Sequence, residues 1–405
     1  MAKVITDEKL VDEFLERGVE AIYPTKEALK KKLMSGDRLK IYQGFDPTGP
    51  HLHVGHAMGI RALRILQKLG HEVIFLVGDY TAKVGDPDKD STRKLLTDEE
   101  IGKNMAGWKE QAAQLIDFSG ENPVQFKRNY EWLSELKLEG IIKLMSKITL
   151  QRLLERDLFD RRLKAGDPIR FQETIYPLMQ GYDAVAMEVD MEIGGTDQTF
   201  NMLVGRDLVK SYLGKEKFVR TNKMMDAPDG RTMSKTKGNG INLADTPEDM
   251  FGKAMSYPDE SIIAGFELLT EVTMEEIGQI KKAIDAGENP MIFKKKMAYE
   301  IIKVIKGEKA AREAEVNFEK VYSRKEAPEA VASIEASTED SIVDVIVKAD
   351  LAKSRADAKR KMDQGGVEIG DRKVTDTRAK IVSGMDGKIL KVGKKDFRKI
   401  RLKQK

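Results

Sequence analysis

One stretch of sequence decides the fold of this chain: Tyr42-Gln43-Gly44-Phe45-Asp46-Pro47-Thr48-Gly49-Pro50-His51-Leu52-His53-Val54-Gly55-His56. A strand-like run ends at its beginning, and apolar residues recur at helical spacing after it, as Ile60, Leu63, Leu66 and Leu69. The glycines and prolines between these two segments indicate a turn. The stretch therefore predicts a strand, a turn and a helix start. A helix start suits a phosphate, because its free N–H groups and partial positive charge face outward.

A second strand is predicted at residues 72–77, where every residue after Glu72 is apolar. A run of this kind is typical of a parallel strand that is covered on both faces. Strand, helix and strand in succession predict a right-handed crossover, and hence a doubly wound, Rossmann-like parallel sheet of the α/β class. Because ligands bind at the carboxyl ends of such strands, we expect residues 42–56 and 78–87 to converge. The segment before this sheet, residues 3–35, is predicted to be helical.

The composition suits a globular protein without disulfides. The 405 residues leave room for two or three domains, and the chain has no cysteine, which excludes disulfides and cysteine–zinc sites. There is no apolar run of about 18 residues, so no membrane span is expected. The first residues lack the apolar core of a signal peptide, and we expect a cytoplasmic protein.

Charge is distributed unevenly along the chain. Residues 351–405 carry 18 Lys and Arg against 7 Asp and Glu, whereas the rest carries 52 against 60. A basic tail on an acidic body indicates a polyanionic partner, although a merely soluble tail would have the same composition.

His53 and His56 are three residues apart, so they share one face of the first helical turn. Gly55 between them would let a nucleotide lie close to the backbone. A solvated helix start or a metal pair would also fit this spacing. A metal needs further ligands, and only His51 and His71 remain among the imidazoles. We therefore expect no protein-bound metal.

Three further strings carry polar groups in useful positions. Tyr176, Gln180 and Asp183 stand at i, i+4 and i+7, which places them on one helix face, where an exposed polar stripe is the alternative. Gly194-Gly195-Thr196-Asp197-Gln198 follows a predicted strand, and paired glycines allow close approach to a ligand. Asp86 precedes a proline, which is also common in ordinary turns.

These strings resemble, in the same order, the signatures of the tyrosyl-tRNA synthetases, a family of class I aminoacyl-tRNA synthetases. His53-Val54-Gly55-His56 is similar to the His-Ile-Gly-His box. The segment 229–239 resembles the Lys-Met-Ser-Lys-Ser loop, in which Met233, Ser234 and Lys235 match. Thr232 stands where the first lysine of that loop is found in the family.

The resemblance implies a role for each matching residue. Those expected to bind tyrosine are Tyr42, Asp86, Tyr176, Gln180, Asp183 and Gln198. Those expected to bind ATP are Gly44, Asp46, Gly55, Gly194, Asp197, Met233, Ser234 and Lys235. His53, His56, Lys235 and Thr48 are expected to act in catalysis. Candidates on two loops for contacts with pyrophosphate are Lys89, Arg93, Arg231 and Lys237.

The resemblance also implies the domain organisation. Residues 1–240 would form the catalytic nucleotide-binding domain, with a helical insertion at about 95–185 that builds a dimer interface. In that insertion Asn129, Tyr130 and Trp132 match a short motif of the family, and from sequence alone they are interpreted as packing residues. Residues 241–325 would be a helical domain, 326–340 a linker, and 341–405 a small α+β alpha-L RNA-binding domain. Its expected RNA contacts are Ser354, Arg355, Lys359 and Arg360.

The implied function is a homodimeric tyrosine–tRNA ligase that uses ATP with Mg²⁺. It would form tyrosyl-adenylate and pyrophosphate, then transfer tyrosine to the 3′ end of its tRNA. A tryptophanyl-tRNA synthetase shares the signatures, but Tyr42 and Asp183 favour a phenol as substrate. A small-molecule nucleotidylyltransferase would not need an RNA-binding tail. A non-catalytic RNA-binding paralogue would explain Thr232 but would have no need of the ligand-binding strings.

Overall fold

The computed structural model describes residues 2–86, 95–228, 233, 240–320, 332–370, 372–393 and 396–403. The chain divides into two compact units, Met1–Glu308 and Lys309–Lys405, which we describe separately. In the described residues, no helix combines the length and apolar character that crossing a membrane requires.

Strands and helices of the first unit alternate. Its strands are β1 Val19–Tyr23, β2 Lys40–Phe45, β3 Glu72–Val77, β4 Gln125–Arg128, β5 Met191–Gly195 and β6 Phe218–Asn222. The helices up to β4 are α1 Glu8–Glu16, α2 Lys26–Leu33, α3 Val54–Lys68, α4 Thr81–Val84, α5 Asp98–Met105 and α6 Trp108–Ala112. Those up to β6 are α7 Tyr130–Leu133, α8 Leu138–Met145, α9 Leu150–Leu154, α10 Asp157–Ala165, α11 Tyr176–Ala186 and α12 Thr199–Leu213. After β6 come α13 Pro247–Met255, α14 Ile262–Leu269, α15 Met274–Asp285 and α16 Pro290–Lys306.

The six strands form one sheet in the order β1-β6-β5-β2-β3-β4. Neighbouring strands are parallel except β1, which is antiparallel to β6. The chain moves outward from β2 through β3 to β4, and then returns to the other side of β2 to form β5 and β6. The strand order therefore reverses between β2 and β5, and a crevice opens at their carboxyl ends. The predicted doubly wound α/β fold is confirmed.

Helices α11 and α12 lie against each other because glycines face each other between them. A Cβ atom built on Gly181 would be 3.1 Å from the Cα of Gly205, and one built on Gly205 would be 3.2 Å from the Cα of Gly181. Their packing joins one apolar cluster with the strands: Tyr42, Ile74, Leu76, Leu144, Leu178, Ala184, Val185, Met187, Val189, Val204, Leu208 and Val209. The cluster fixes α11 over β2 at Tyr42.

The prediction that residues 3–35 are helical throughout is wrong. Gly18, with φ of 62°, separates α1 from the edge strand β1, which runs antiparallel to β6. The segment Val19–Tyr23 contains Val, Ile and Tyr, which favour strands. Because an edge strand is only half-buried, its apolar pattern is weak, and the flanking amphipathic helices hide it in the sequence.

The second unit contains α17 Glu308–Phe318, which begins at the junction, and a small α+β domain. Its other elements are β7 Ser333–Ala336, α18 Ile342–Lys348, α19 Arg355–Asp363, β8 Val367–Ile369, β9 Arg372–Lys373, β10 Ile389–Val392 and β11 Asp396–Leu402. The sheet order is β7-β11-β10-β8-β9. Strand β7 lies within residues 326–340, where a linker was expected. It pairs in parallel with β11, and Ile334 packs on the domain core.

Candidate active site

The crevice between β2 and β5 has an open floor. Gly44 is exposed although it lies on β2, in the middle of the sheet. A Cβ atom on it would meet only a Leu76 methyl group at 3.8 Å. At the end of β5, Gly194 and Gly195 lead into a short 3-10 turn, Thr196–Gln198, in which Asp197 is exposed. The backbone is therefore exposed at Gly44 and partly exposed at Gly195, whereas Gly194 is buried against Met202.

Asp46 joins three elements directly after β2. Its Oδ1 accepts a hydrogen bond from the Thr81 hydroxyl at 2.8 Å, and its Oδ2 accepts one from the Tyr176 hydroxyl at 2.9 Å. Thr81 belongs to the segment that follows β3, so residues 42–56 and 78–87 converge as predicted. The Thr48 N–H donates to the Asp46 carbonyl oxygen at 2.8 Å, which closes the turn towards α3.

The histidine pair lies at the beginning of α3. The His53 N–H donates to His56 Nδ1 at 3.1 Å, and the two rings are 3.8 Å apart between centroids. The Phe45 ring meets His56 edge-on at 5.7 Å. Because His56 Nδ1 accepts, a neutral His56 carries its proton on Nε2 and can donate from there. The pair is thus held by the backbone at the helix N-terminus.

The segment His53-Val54-Gly55-His56 is connected by backbone hydrogen bonds to the residues that follow the second signature, 229–239. The Val54 N–H donates to the Ile241 carbonyl at 2.9 Å, and the Leu243 N–H donates to the Leu52 carbonyl at 2.7 Å. Met233 is buried, and its Cε is 3.8 Å from the position of a Cβ atom on Gly55. Ser234, Lys235, Arg231 and Lys237 lie outside the described residues, as do Lys89 and Arg93.

Helix α11 presents the predicted polar stripe to the site. Besides the bond from Tyr176 to Asp46, the Gln180 Nε2 donates to Glu192 Oε1 at 3.0 Å, and its Oε1 accepts from Asn201 Nδ2 at 3.0 Å. Burial raises the pKa of Tyr176 well above its usual range, and nearby carboxylates raise it further. Tyr176 therefore stays a neutral donor.

Asp183 is buried, and each oxygen of its carboxylate accepts a hydrogen bond from a side chain of the insertion. Its Oδ1 accepts from Trp132 Nε1 at 2.7 Å, and its Oδ2 accepts from Asn129 Nδ2 at 3.1 Å. Burial raises the pKa of the Asp183 carboxyl well above its usual range, and the two hydrogen bonds oppose that rise. Asn129 and Trp132, interpreted as packing residues from sequence, therefore position a site carboxylate. The short motif they belong to was the available signal.

Tyr42 is 1% exposed, and its buried hydroxyl lies next to the Glu192 carboxylate. Burial raises the pKa of Tyr42 well above its usual range, with Glu192 as the next cause. The side chain is thus a neutral phenol that has hydrogen-bonding capacity left for a ligand.

The Asp86 carboxylate accepts hydrogen bonds from two side chains. Its Oδ1 accepts from Arg156 Nη2 at 2.8 Å, and its Oδ2 accepts from Gln198 Nε2 at 2.7 Å. Asn201 connects this pair to α11, because its Nδ2 lies 3.0 Å from both Gln180 Oε1 and Gln198 Oε1. Sequence reasoning missed Arg156 and Asn201, since neither belongs to a signature string.

Sequence reasoning also missed a buried ion pair between Glu192 and Lys217. Lys217 is 0% exposed and Glu192 is 2% exposed, and the Lys217 ammonium donates to Glu192 Oε2. Its Nζ lies 6.0 Å from the centroid of the Tyr42 ring. Burial lowers the pKa of Lys217, and Glu192 opposes this. A charged residue inside an apolar strand, Glu192, was the signal in the sequence.

The expected RNA-binding residues lie on the helix α19 of the second unit. The Ser354 hydroxyl caps this helix by accepting from the Asp357 N–H at 3.2 Å. Arg355 pairs with Asp344 at 3.2 Å and Arg360 with Asp357 at 2.6 Å, while Lys359 is exposed. The helix therefore presents its basic side chains on the surface of the domain.

The acidic groups of the cleft do not form a metal cage. In the part of the chain that the structure describes, no three His, Asp or Glu side chains are grouped so that they could hold a metal ion. The cleft instead combines neutral phenols, amides and hydrogen-bonded carboxylates at the end of β2 and β5, with two imidazoles at a helix N-terminus. Such a site suits a zwitterionic ligand that carries a hydroxyl, next to a phosphate.

Comparison with known proteins identifies two matching families. The family "tRNA synthetases class I (W and Y)" matches residues 34–323, and the family "Tyrosine--tRNA ligase SYY-like C-terminal domain" matches residues 323–400. A tyrosine–tRNA ligase of Dehalococcoides mccartyi is 40% identical, over 97% of this chain and 98% of its own length. One from Haemophilus ducreyi is 41% identical, over 96% and 97%.

Solved structures have the same fold. A C-terminally truncated mitochondrial tyrosyl-tRNA synthetase of Aspergillus nidulans has a TM-score of 0.66 at 22% identity, covering 77% of this chain and 94% of its own. The tyrosyl-tRNA synthetase of Archaeoglobus fulgidus, solved with L-tyrosine, has a TM-score of 0.59 at 22% identity, covering 76% and 99%.

Proposed function

The chain belongs to the tyrosine–tRNA ligases, and we propose that the crevice between β2 and β5 is the site where it activates tyrosine. The enzyme joins tyrosine to ATP as tyrosyl-adenylate, releases pyrophosphate, and transfers the tyrosyl group to tRNA. The observation that carries the location is the convergence of Asp46, Tyr176 and Thr81 where the strand order reverses.

The tyrosine side chain enters between Tyr42 and Asp183. The buried Asp183 carboxyl accepts the phenol proton, and the Tyr42 hydroxyl donates to the same phenol oxygen. Trp132 and Asn129 keep the carboxylate pointing into the site, since they hold one oxygen each. A ligand without the hydroxyl leaves both groups unpaired, and that loss sets selectivity.

The tyrosine ammonium binds among Tyr176, Gln180 and Asp86, and Gln198 lies near the carboxylate. Asn201 connects Gln180, Gln198 and Asp86 in one hydrogen-bond network, and Tyr176 is bonded separately to Asp46. A carboxylate with two donors retains free lone pairs, so Asp86 keeps capacity for an ammonium group. The network thereby places the reacting carboxylate next to the N-terminus of α3.

ATP occupies the open floor of the crevice. Gly44, Gly55 and Gly194 admit the nucleotide close to the backbone, Asp46 and Asp197 contact it, and Met233, Ser234 and Lys235 cover it. The attack of the carboxylate on the α-phosphate needs alignment and charge stabilisation. His53, His56, Lys235 and Thr48 supply these to the phosphates.

Magnesium accompanies the ATP phosphates, where it spreads the charge of the leaving pyrophosphate. The two basic loops act from the outside: Lys89 and Arg93 on one, Arg231 and Lys237 on the other. The family has a lysine at the position of Thr232. Arg231 or Lys237 takes over the role of that lysine in this chain. This assignment is supported by the sequence match alone.

The second unit binds tRNA through Arg355, Lys359 and Arg360 at α19, with Ser354 as its cap. The boundary between the two family matches at residue 323 supports a functional division that lies before β7. Within the division proposed from sequence, residues 1–240 and 241–325 carry activation, and 341–405 bind RNA. The reaction uses ATP and tRNA, which supports a cytoplasmic location.

The chain works as a homodimer. Support comes from large apolar side chains that are exposed in the insertion: Leu138 at 72%, Ile142 at 58%, Leu150 at 57%, Leu163 at 54% and Phe171 at 67%. Exposed apolar groups concentrated in one region favour a protein interface. A second copy of the chain, with the same region, is the partner.

Amino-acid-dependent exchange of pyrophosphate into ATP tests the proposed site. Wild-type enzyme is expected to catalyse exchange with tyrosine and to discriminate strongly against phenylalanine and tryptophan. The variant Asp183→Ala is expected to lose tyrosine activation while its KM for ATP stays within about twofold. Equal use of the three amino acids, or full selectivity in Asp183→Ala, would refute the assignment.

A further inference from the structure

The ion pair of Glu192 and Lys217 is buried beneath the proposed tyrosine site and contacts two of its residues. Glu192 and Tyr42 are neighbours in the register of β5 and β2, so their side chains are on the same face of the sheet. Lys217 immediately precedes β6 and reaches the same face. Neither charge belongs to any signature string.

Glu192 divides its two oxygens between different partners. Oε2 accepts from the Lys217 ammonium, and Oε1 accepts from Gln180 Nε2 at 3.0 Å. The amide of Gln180 is therefore held with its NH₂ group towards Glu192. Its Oε1 accepts one bond from Asn201, and a carbonyl oxygen has a second lone pair.

Space for the ammonium group comes from α12. A Cβ atom on Gly205 would lie 2.7 Å from Lys217 Nζ and 3.5 Å from Glu192 Oε2. Any larger residue at this position would force the ammonium away from its carboxylate. The same glycine lets α12 approach α11, the helix that carries Gln180. Gly205 thus accommodates the pair and brings it to Gln180.

Energetics gives a reason to look for a role beyond stability. A buried ion pair contributes little net stability, because removing two charges from water costs about as much as their attraction returns. Removing one partner is far more harmful, since it leaves a buried charge alone. An apolar pair would stabilise the sheet equally well, but it could not accept a hydrogen bond from Gln180.

We propose that Glu192 and Lys217 are positioning residues that fix the Gln180 amide so that its Oε1 faces the tyrosine ammonium. The inference rests on the proposed function, in which Gln180 binds that ammonium. Without the Glu192 acceptor, the amide can turn and present its NH₂ group to the substrate. A donor facing an ammonium group repels it, so tyrosine binding weakens.

The ammonium of Lys217 has a second effect on the same site. It neutralises the carboxylate next to Tyr42, and it lies 6.0 Å from the centre of that ring. A lone carboxylate on this face would attract the Tyr42 hydroxyl proton. In the folded chain Glu192 already attracts this proton, and the Lys217 ammonium weakens that attraction, so that the Tyr42 hydroxyl can turn to the substrate phenol. Both ends of the amino acid are therefore affected by one ion pair.

Three variants test the proposal in pyrophosphate exchange: the apolar pair Glu192→Leu with Lys217→Met, the amide pair Glu192→Gln with Lys217→Met, and Gln180→Ala. The apolar pair is expected to raise the KM for tyrosine at least about tenfold, with the KM for ATP within about twofold, because it removes the acceptor for Gln180 without leaving a buried charge alone. The amide pair is expected to keep the KM for tyrosine within about threefold of wild type, because an uncharged amide still accepts from Gln180 and no charge is left alone.

Lys215→Met is the matched control. Lys215 lies two residues before Lys217 and pairs with Asp190 at the partly exposed end of the strand. Its loss is expected to leave both KM values unchanged. Thermal unfolding of each variant separates folding defects from binding defects, and only variants with a folded transition are compared.

The outcomes separate the inference from the proposed function. If Gln180→Ala leaves the KM for tyrosine unchanged, the proposed role of Gln180 is wrong. If Gln180→Ala raises it but the apolar pair does not, only the positioning role is wrong. Equal losses for tyrosine and ATP in the apolar pair, with the same losses in the amide pair, would reduce Glu192 and Lys217 to a structural role and overturn the proposal.

Discussion

Trp132 donates its indole N–H to the buried carboxylate of Asp183 at 2.7 Å. The bond crosses from α7 in the insertion to α11, and Asn129 holds the second oxygen of the same carboxylate. The insertion therefore contributes two side chains to the proposed tyrosine site. Its two donors also oppose the rise that burial causes in the pKa of Asp183.

Replacing Trp132 by Phe tests this hydrogen bond. Loss of one hydrogen bond to a buried carboxylate is expected to lower kcat/KM for tyrosine by roughly 10- to 100-fold, and to leave the KM for ATP unaffected. Trp108→Phe is the control, because the other tryptophan lies in α6, away from Asp183, and is fully buried, so its replacement tests the general cost of losing an indole. A similar loss in both variants, measured by pyrophosphate exchange, would argue against a specific role for Trp132.

Lys235→Ala is expected to lower the rate of adenylate formation by about 10²-fold or more with little change in tyrosine affinity. The reason is that a cation acting on the phosphates stabilises charge that develops only in the transition state. Single-turnover measurement of adenylate separates rate from binding. An unchanged rate would remove Lys235 from the mechanism. Thr232→Lys, which restores the family residue, is expected to keep at least wild-type activity.

His71 predicts a pH dependence of stability. It is completely buried beside β3, its Nδ1 accepts from the Leu39 N–H, and burial lowers its pKa to about 4. An unfolded chain, with a histidine pKa near about 6.5, binds the proton more readily than the folded one. The stabilising contribution is complete above pH of about 6.5 and is lost as pH falls towards about 4, by at most about 3 kcal/mol.

Denaturant unfolding at several pH values measures this contribution. His71→Gln keeps an acceptor for Leu39 but has no proton to bind in this range. The difference in unfolding free energy between wild type and His71→Gln is expected to shrink or reverse as pH falls from about 6.5 to about 4. A difference that is constant over the range would show that His71 does not titrate on unfolding.

Removing charge from α19 tests RNA binding. The double variant Arg355→Ala, Lys359→Ala is expected to bind tRNA more weakly. The slope of log affinity against log salt concentration is expected to decrease by roughly one for each phosphate that is no longer neutralised. Pyrophosphate exchange, which needs no tRNA, serves as the control and is expected to be unchanged. Equal tRNA affinity and salt slope in the variant would exclude these two side chains as phosphate ligands.

Charged substitutions in α8 test whether this helix lies in the proposed dimer interface. Leu138→Glu with Ile142→Glu introduces carboxylates among the exposed apolar side chains, and sedimentation is expected to show monomers. Met274→Glu with Met291→Glu is the control, since these side chains are 49% and 48% exposed on the later helices α15 and α16. Dissociation in the control pair, or a persistent dimer in α8 variants, would place the interface elsewhere.

The sequence predicted those features that depend on local pattern. Strand β3 and helix α3 were evident from apolar periodicity, and the stripe Tyr176, Gln180, Asp183 from helical spacing. Turn residues between β2 and α3 marked the place of the crevice. Each of these features is determined by residues that are close together in the sequence. A short segment is therefore enough to predict it.

Features that depend on distant partners could not be predicted in the same way. The partners of Asp183 are about 50 positions earlier, and Lys217 is 25 positions after Glu192. Such pairs exist only once the sheet order and the packing of α11 on α12 are known. Strand β1 was missed for a related reason, because its identity as a strand comes from pairing with β6.

The backbone bond between Val54 and Ile241 limits how far Lys235 can travel. Lys235 lies six residues before Ile241, and an extended chain covers at most about 3.6 Å per residue, so its Cα stays within about 22 Å of that of Ile241. A short tether of this kind keeps a group at a high effective concentration near its target. The covalent chain and this one backbone bond therefore keep the lysine that we propose as a phosphate ligand in the neighbourhood of the first signature.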